Sequence, residues 1–246
     1  MKKWVVSFGI LAAVFGFGFS GAAHAAQSPL AWSVSVTPVS NYIWRGFSSN
    51  LNRSAIQPSL TIAHPASGLS VNGWGSFNAV SQPGTTSDIG EADLTVDWTG
   101  SVAKGANLSV GGIYYTFPNI GGGAKNTTEE IYAGLSFPEA IFSPTLRVIT
   151  DMDLGTGTYV NVGGSLPFAL GSQTMVAGLN AGWNSEMYIT GSTVSDINLS
   201  LGTSAQFAGL SLTPQVVYTI VPQSAVDRGI NTNSQLWGGL TVGAAF

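Results

Sequence analysis

Polar and apolar residues alternate one by one through almost the whole chain, without any sustained period of 3.6 residues. The clearest case is the segment 91–98, in which Glu91, Asp93, Thr95 and Asp97 alternate with Ala92, Leu94, Val96 and Trp98. Successive side chains of a β-strand point to opposite sides, so this segment predicts a strand with one acidic face and one apolar face. The pattern as a whole predicts an all-β fold.

About twelve segments show this alternation, and each is close to the roughly 9–11 residues that cross a bilayer as a tilted strand. They lie at residues 31–42, 55–64, 69–80, 90–99, 106–117, 128–137, 145–152, 157–166, 174–184, 195–206, 210–221 and 235–246. Only 8% of the residues are charged and 32 are Gly, whereas an ordinary soluble domain carries about 25% charged residues. We therefore predict a transmembrane antiparallel up-and-down β-barrel of about 12 strands.

The first 25 residues have the organisation of a secretory signal peptide. Lys2 and Lys3 are followed by an apolar run to Phe19 and by the small-residue site Ala23-His24-Ala25. We predict cleavage after Ala25, with residues 26–246 forming a single barrel domain. The alternative is a retained helical anchor. The chain has no Cys, so it uses no disulfide in the compartment to which it is exported.

The connections between the predicted strands alternate between short turns and mostly longer polar loops, which is typical of outer-membrane barrels. An even strand number also puts both mature ends on one side, which we expect to be periplasmic. The alternative is a secreted soluble β-sandwich or barrel. However, the polar faces carry Gly, Ser, Thr and Asn rather than Lys and Glu, which suits a confined lumen better than bulk water. Outer-membrane lipid and lipopolysaccharide are the surroundings that this prediction implies.

The last strand is the most specific single segment. It alternates up to the terminal Phe246, and aromatic residues also lie at the ends of several other apolar faces. A terminal Phe on such a strand is similar to the signature by which outer-membrane proteins are recognised for assembly. We therefore expect the barrel-assembly machinery to be a partner, with Phe246 as the assembly signal.

Residues 39–49 read V-S-N-Y-I-W-R-G-F-S-S, which resembles the opening V-S-[DN]-Y-x-[FW]-R-G-[IF]-S motif of the TorF-type porin family. Segments 57–60, 68–76, 91–98 and 128–134 are similar to later segments of that family. The likeness extends over residues 36–134 and is only architectural beyond. At Val96 and Asp97 the sequence departs from the family, which tends to have an aromatic and a small residue there. The resemblance implies a porin-like barrel and no particular solute.

If the apolar faces meet lipid, six acidic side chains point into the lumen: Glu91, Asp93, Asp97, Glu130, Asp151 and Asp196. The inward bases are Arg147 on its strand and Arg45 near the outer mouth. Two interpretations stay open. An excess of acids favours cations in a channel, or else the charges pair, for example Arg147 with an acid on a neighbouring strand, and close the lumen.

A barrel of twelve strands is intermediate in width between eight-stranded barrels, whose interior is filled by side chains, and 16-stranded porins, which enclose an open channel. We therefore expect a narrow, selective or partly plugged pore. The predicted function is a porin-like channel for passive diffusion of small polar solutes, with a preference for cations. The alternative is a closed barrel that serves as a structural or surface-interaction protein. We expect no plug domain, because the chain is about as long as the barrel alone.

Catalytic sites are not expected. A barrel hydrolase needs a base beside its serine, and the one histidine after the signal peptide, His64, precedes Pro65 in a predicted turn. We predict no cofactor, no metal site and no nucleic-acid partner. The Gly-rich segment 121–127 lacks the spacing of a phosphate-binding loop, and Asp151 and Asp153 lack that of a Ca²⁺ loop. The sequence leaves the solute, the gating and the oligomeric state open.

Overall fold

A computed structural model of the protein describes residues 29–81, 87–120 and 123–246. The predicted signal peptide lies outside the described residues. Twelve long strands make up the fold, one of them continued by a short strand β13. They are β1 (Ala31–Val39), β4 (Ala55–His64), β5 (Leu69–Asn78), β6 (Ile89–Ala103), β7 (Ala106–Thr116), β8 (Thr127–Ser136), β9 (Thr145–Asp151), β10 (Thr158–Leu170), β11 (Gln173–Ser185), β12 (Ser192–Thr203) with β13 (Ala205–Phe207), β14 (Leu210–Ile220) and β15 (Gln235–Ala245).

These strands form one closed antiparallel barrel. Each strand pairs with the strands before and after it in the chain, and β1 closes the sheet by pairing with β15 from Ser33↔Ala245 to Val39↔Gly239. Trp32 and Phe246 add two backbone hydrogen bonds, at 3.1 and 2.8 Å. Closure gives each long strand of the described barrel a neighbouring strand on both sides. The predicted fold class of a 12-strand antiparallel barrel is confirmed.

The alternation sorts the side chains between the two surfaces of the barrel. On β6, for example, Leu94 is 51% exposed on the outside, whereas Thr95 is 8% exposed on the inside. The same holds around the barrel, where Val34, Val71 and Ile131 are exposed on the outer surface. In water so large an apolar surface is unstable, so the residues that drive strand formation also favour a lipid environment.

The two ends of the barrel differ. The end that carries Pro29 and Phe246, called here the terminus end, has mostly short turns, such as the one closed by Gly68 at φ +79°. At the opposite end, called the loop end, the connections are mostly longer, and one contains the single-turn helix α1 (Gln223–Val226). Among the described residues, no helix has the length and apolar character needed to cross a bilayer.

One predicted strand ends early. The alternation predicts a strand over residues 31–42, but β1 ends at Val39. The chain then forms a two-stranded hairpin of its own, β2 (Ile43–Trp44) and β3 (Phe47–Ser48), which is separate from the barrel sheet. Its sequence is too rich in aromatic and apolar residues to remain in water, so it folds away from solvent.

Candidate functional site

The segment 40–54, called here the inward segment, folds into the loop-end half of the barrel. Tyr42, Ile43, Arg45, Ser48 and Asn50 in this segment are all buried. The sequence predicts a position near the outer mouth for Arg45, and the structure instead buries this residue inside the barrel. The segment adds no separate domain, but it occupies the interior that a plug would occupy.

A tight turn directs the tip of the inward segment. Trp44 pairs with Phe47, and the two residues between them, Arg45 and Gly46, have φ values of +50° and +88°. Positive φ at both central residues matches the right-handed twist of a hairpin. A Cβ on Gly46 would lie 2.9 Å from the carbonyl oxygen of Ser195, so the backbone here approaches the barrel wall as only glycine allows.

Arg45 spans the lumen rather than lying near the outer mouth. Its two terminal nitrogens donate to the two carboxylate oxygens of Glu130 on β8 at 2.6 and 2.7 Å. Counted around the barrel, β8 is the fifth strand beyond β1, nearly opposite to it. The inward segment leaves the wall at β1, so this forked ion pair ties it to the far wall.

The ion pair is removed from solvent and supported on all sides. Arg45 is 5% exposed and Glu130 is 1% exposed. The hydroxyl of Tyr115 donates to Glu130 at 2.8 Å, and the guanidinium carbon of Arg45 lies 4.2 Å from the ring centroid of Trp44 and 5.0 Å from that of Tyr159. A buried pair needs such partners to offset the loss of hydration.

Apolar side chains occupy the space around this ion pair. Tyr42 and Ile43 pack with Trp237 on one side, and Met187 packs with Tyr115 and others on another side. Ile189, Val221, Ala225 and Ile230 form a third cluster, against which Phe47 packs. The loop-end interior is thus a packed core, whereas the strand alternation alone predicts a polar lumen throughout.

Two of the predicted lumen acids are held by local donors. Asp151 accepts hydrogen bonds from Thr128 at 2.8 Å, from Tyr188 at 2.6 Å and from the backbone N–H of Asp153 at 2.9 Å. Tyr188 lies outside the strands, and burial followed by the contact with Asp151 raises the pKa of its hydroxyl. Asp151 therefore stabilises the loop end.

Asp196 is bound in the same way by Ser195 at 2.7 Å, by Asn198 at 2.8 Å and by Tyr159 at 3.1 and 3.2 Å. The donors that surround the carboxylate of Asp196 occupy the positions in which a bound cation would have to lie. Within the described parts of the chain, no cluster of His, Cys, Asp and Glu could hold a metal ion.

Glu91 and Asp93 lie on β6 beside the inward segment. Glu91 is buried. One carboxylate oxygen of Asp93 is buried and accepts no hydrogen bond from any described residue. These two acids have fewer partners than Asp151 and Asp196, and they are the carboxylates of the loop-end half that remain for interaction with a solute.

The terminus-end half of the lumen is lined by small polar residues that are partly exposed. Ser33, Ser59, Thr61, Ser70 and Asn72 point inwards from β1, β4 and β5. Asp97 and Arg147, both partly exposed, lie in the same half on β6 and β9. This half forms a polar vestibule that opens towards the terminus end and ends at the packed core.

Charges pair inside the barrel at one place, but not at Arg147, the example that the pairing interpretation gave. Arg147 has no ion pair among the described residues. The two ion pairs that occur there join Arg45 to Glu130 and, between connections at the loop end, Lys125 to Asp153. Arg147 instead stacks on Tyr132, 3.6 Å from the ring centroid. The base that pairs is Arg45. The pairing of Arg45 with Glu130 could not be inferred from the sequence, because the sequence did not predict that the inward segment folds into the lumen.

His64 lies at the terminus end of β4, in the tight turn predicted for it. Its Nδ1 is 2.8 Å from the hydroxyl of Ser67, and that hydroxyl also contacts the backbone carbonyl of His64 at 3.2 Å. A catalytic pair of this kind needs a third group that orients the base. No such carboxylate contacts His64 within the described residues, and the contact is that of an exposed turn.

A family model described as "Bacterial protein of unknown function (Gcw_chp)" matches residues 23–246. No curated protein gives a significant match. Among solved structures, a NanC porin is similar with a TM-score of 0.50 and 11% identity, over 86% of this chain and 98% of that chain.

An outer membrane channel from Pseudomonas putida F1 is similar with a TM-score of 0.50 and 12% identity, over 88% of this chain and 95% of that chain. LpxR from Salmonella typhimurium gives a TM-score of 0.46 and 7% identity, over 87% of this chain and 99% of that chain. At the identities of the NanC porin and the Pseudomonas putida channel, the likeness establishes the fold alone, which is that of outer-membrane barrels.

Proposed function

Because the chain belongs to the Gcw_chp family, whose description gives no function, we propose its function from the geometry of the lumen. The protein is a porin-like outer-membrane channel for passive diffusion of small polar solutes, narrowed by its inward segment. The observation that carries this proposal is a closed barrel with an apolar outer surface and a polar vestibule over half of its length. The resemblance of residues 39–49 to the TorF-type porins supports the same function.

We place the barrel in the bacterial outer membrane with both ends in the periplasm. The short turns at the terminus end and the longer loops at the other end support this orientation, because outer-membrane barrels have short periplasmic turns. Its surroundings are then outer-membrane lipid and lipopolysaccharide. In this orientation the vestibule opens to the periplasm and the inward segment faces the cell exterior.

Release of neutral solutes from proteoliposomes tests the proposal. Purified barrel should release small polyols, and larger oligosaccharides should be retained, since the inward segment narrows the lumen. Vesicles that contain protein heated until the barrel unfolds serve as the control. Retention of even the smallest polyol by vesicles that carry the folded barrel would reject the channel.

Cation preference is a finer part of the proposal. Glu91, Asp93 and Asp97 are acids without an ion pair among the described residues, and acidic linings favour cations. The triple variant Glu91→Gln, Asp93→Asn, Asp97→Asn should reduce the reversal potential measured across a salt gradient. The matched control is Glu129→Gln, because Glu129 is exposed on the outer side of β8. An unchanged reversal potential in the triple variant would refute this preference.

A second candidate is a closed barrel that acts through its external loops. The specific observation in its favour is the packed loop-end core, in which Arg45, Glu130 and three apolar clusters fill the interior. The solute-release experiment separates the two candidates. Folded barrel that releases nothing, even after the inward segment is shortened, would support the closed barrel.

A further inference from the structure

Three side chains form a continuous row on the inner wall of the vestibule. The hydroxyl of Tyr132 on β8 donates to Asp97 on β6 at 2.6 Å. The guanidinium carbon of Arg147 on β9 lies 3.6 Å from the centre of the same ring. A carboxylate and a guanidinium are therefore held apart by a single phenol ring, and they do not form an ion pair with each other.

Glycine makes this row possible. Gly111 on β7 is paired with both Asp97 and Tyr132. A Cβ on Gly111 would lie 2.4 Å from the Tyr132 hydroxyl oxygen and 2.5 Å from the carbon that carries it. The tyrosine ring thus lies flat over a strand that has no side chain there. Gly134, the partner of Arg147, is different: its Cβ position lies 2.8 Å from the hydroxyl oxygen of Ser109 but at an ordinary contact distance, 3.6 Å, from Cγ of Arg147.

Asp97 and Arg147, the two charged ends of the row, both have hydrogen-bonding positions that no described residue uses. Asp97 accepts hydrogen bonds from Tyr132 and, at 2.8 Å, from Thr99. A carboxylate has about four acceptor positions, so about two remain. The Nε–H of Arg147 is buried and has no acceptor among the described residues. An unmet donor on a guanidinium is costly, and an oxyanion that binds the partly exposed side chain of Arg147 would supply an acceptor.

The row is also accessible from the vestibule. Asp97 and Arg147 are partly exposed although the ring between them is buried. The two charges therefore face the lumen. They are fixed by the ring that separates them, which reduces the side-chain entropy that a bound solute would have to overcome.

We propose that the row Asp97–Tyr132–Arg147 is a binding site for small zwitterionic solutes. The carboxylate of the solute binds the guanidinium of Arg147, and its ammonium group binds Asp97. The acid excess of the lumen disfavours solutes that are anionic overall, whereas a zwitterion brings one charge of each sign. This proposal rests on the channel function and names the class of solute that the channel carries.

Binding can be measured on the full barrel in detergent micelles without any conductance. The probes are 4-aminobutanoate, butanoate and butylammonium, because the last two each carry one of the two charges of the first. By calorimetry, 4-aminobutanoate should bind at least about ten-fold more tightly than either single-charge probe. The chain has four arginines, so the Nε–H resonance that moves on titration can be assigned to Arg147 with the Arg147→Gln variant.

Variants at Asp97 and at Arg147 separate the contributions of the two charged ends of the site. Asp97→Asn should lower the affinity for 4-aminobutanoate about ten-fold and leave that for butanoate unchanged. Arg147→Gln should abolish butanoate binding, and Arg147→Lys, which keeps the charge without the Nε–H, should fall between wild type and Arg147→Gln. A far-UV circular dichroism spectrum like that of wild type shows that each variant is folded.

Three outcomes would overturn the site: equal binding of butanoate and 4-aminobutanoate, an Arg147 resonance that does not move, or unchanged affinity in both Asp97→Asn and Arg147→Gln. Failure here is distinct from failure of the channel function. If wild type releases polyols from liposomes but binds no zwitterion, the channel function stands and the proposed binding site is rejected. If wild type binds the zwitterion but releases no solute, the binding site stands and the channel function is rejected.

Discussion

At the scale of the residue, Arg45 connects the inward segment to the barrel wall. Its backbone has φ +50°, a conformation that is uncommon outside glycine, and its guanidinium ends on the buried carboxylate of Glu130. The turn and the ion pair therefore depend on each other, because the side chain reaches Glu130 only from this turn.

Arg45→Gln should lower the free energy of unfolding by about 3–5 kcal/mol, because it leaves Glu130 buried without its partner. The double variant Arg45→Gln, Glu130→Gln should lose less, since no unpaired charge remains. Urea unfolding in lipid vesicles measures both. Lys125→Gln is the control, because Lys125 pairs with Asp153 on exposed loops, where ion pairs contribute little. Equal losses in the single and the double variant would contradict this account of the pair.

Gly111 and Gly112 give a matched test of the vestibule wall. A Cβ on Gly111 would overlap Tyr132, whereas the nearest atom to a Cβ on Gly112 is the carbonyl oxygen of Glu130 at 3.5 Å. Gly111→Ala should therefore cost about 1–3 kcal/mol of stability, as overpacked sites do. Gly112→Ala should be close to neutral. If the two variants unfold at the same urea concentration, the flat arrangement of Tyr132 over β7 is wrong.

At the scale of the element, the twelve barrel strands could be predicted and the hairpin β2–β3 could not. Alternation fixes a strand because each residue on it has only two directions, lipid or lumen. The inward segment has no such periodicity, and its direction depends on Glu130, more than eighty residues later in the chain. The signal that could have indicated the inward fold is the concentration of Tyr42, Ile43, Trp44 and Phe47 at and just beyond the end of the first predicted strand.

Phe246, which directly follows the final strand β15, is the assembly signal that we propose. Phe246 is 75% exposed, and its backbone pairs with Trp32 at the barrel seam, so its side chain adds little to the folded core. Phe246→Ala should reduce the folded barrel in the outer membrane of cells several-fold, whereas refolding in detergent should be unaffected. Leu236→Ala, another exposed apolar position of β15, is the control. Equal folded amounts of Phe246→Ala and wild type in cells would refute the signal.

At the scale of the whole molecule, the barrel has two unlike halves, a polar vestibule and a packed core. The sequence predicts which residues point inwards but not which of them meet. Pairing of Arg147 with an acid was one expectation. The guanidinium of Arg147 instead stacks on the ring of Tyr132, which lies flat against the wall because Gly111 has no side chain. Contacts of this kind depend on side-chain direction across several strands, which strand alternation does not specify.

The orientation of the barrel can be tested by labelling single cysteines, because the chain has none of its own. Ala124 is exposed in a connection at the loop end, and Ala140 is exposed in a turn at the terminus end. On intact cells, Ala124→Cys should react with a membrane-impermeant maleimide, and Ala140→Cys should react only after the outer membrane is opened. The reverse labelling pattern would place the termini outside the cell.

Single-channel conductance in a planar bilayer tests the central claim most directly. Wild-type barrel should open in small discrete steps. A variant in which residues 42–49 are replaced by a short Gly-Ser turn should open in clearly larger steps, because the inward segment no longer crosses the lumen. A circular dichroism spectrum typical of a barrel must accompany both measurements. The absence of any conductance from folded wild type would contradict the channel, and equal step sizes in the two proteins would contradict the role of the inward segment.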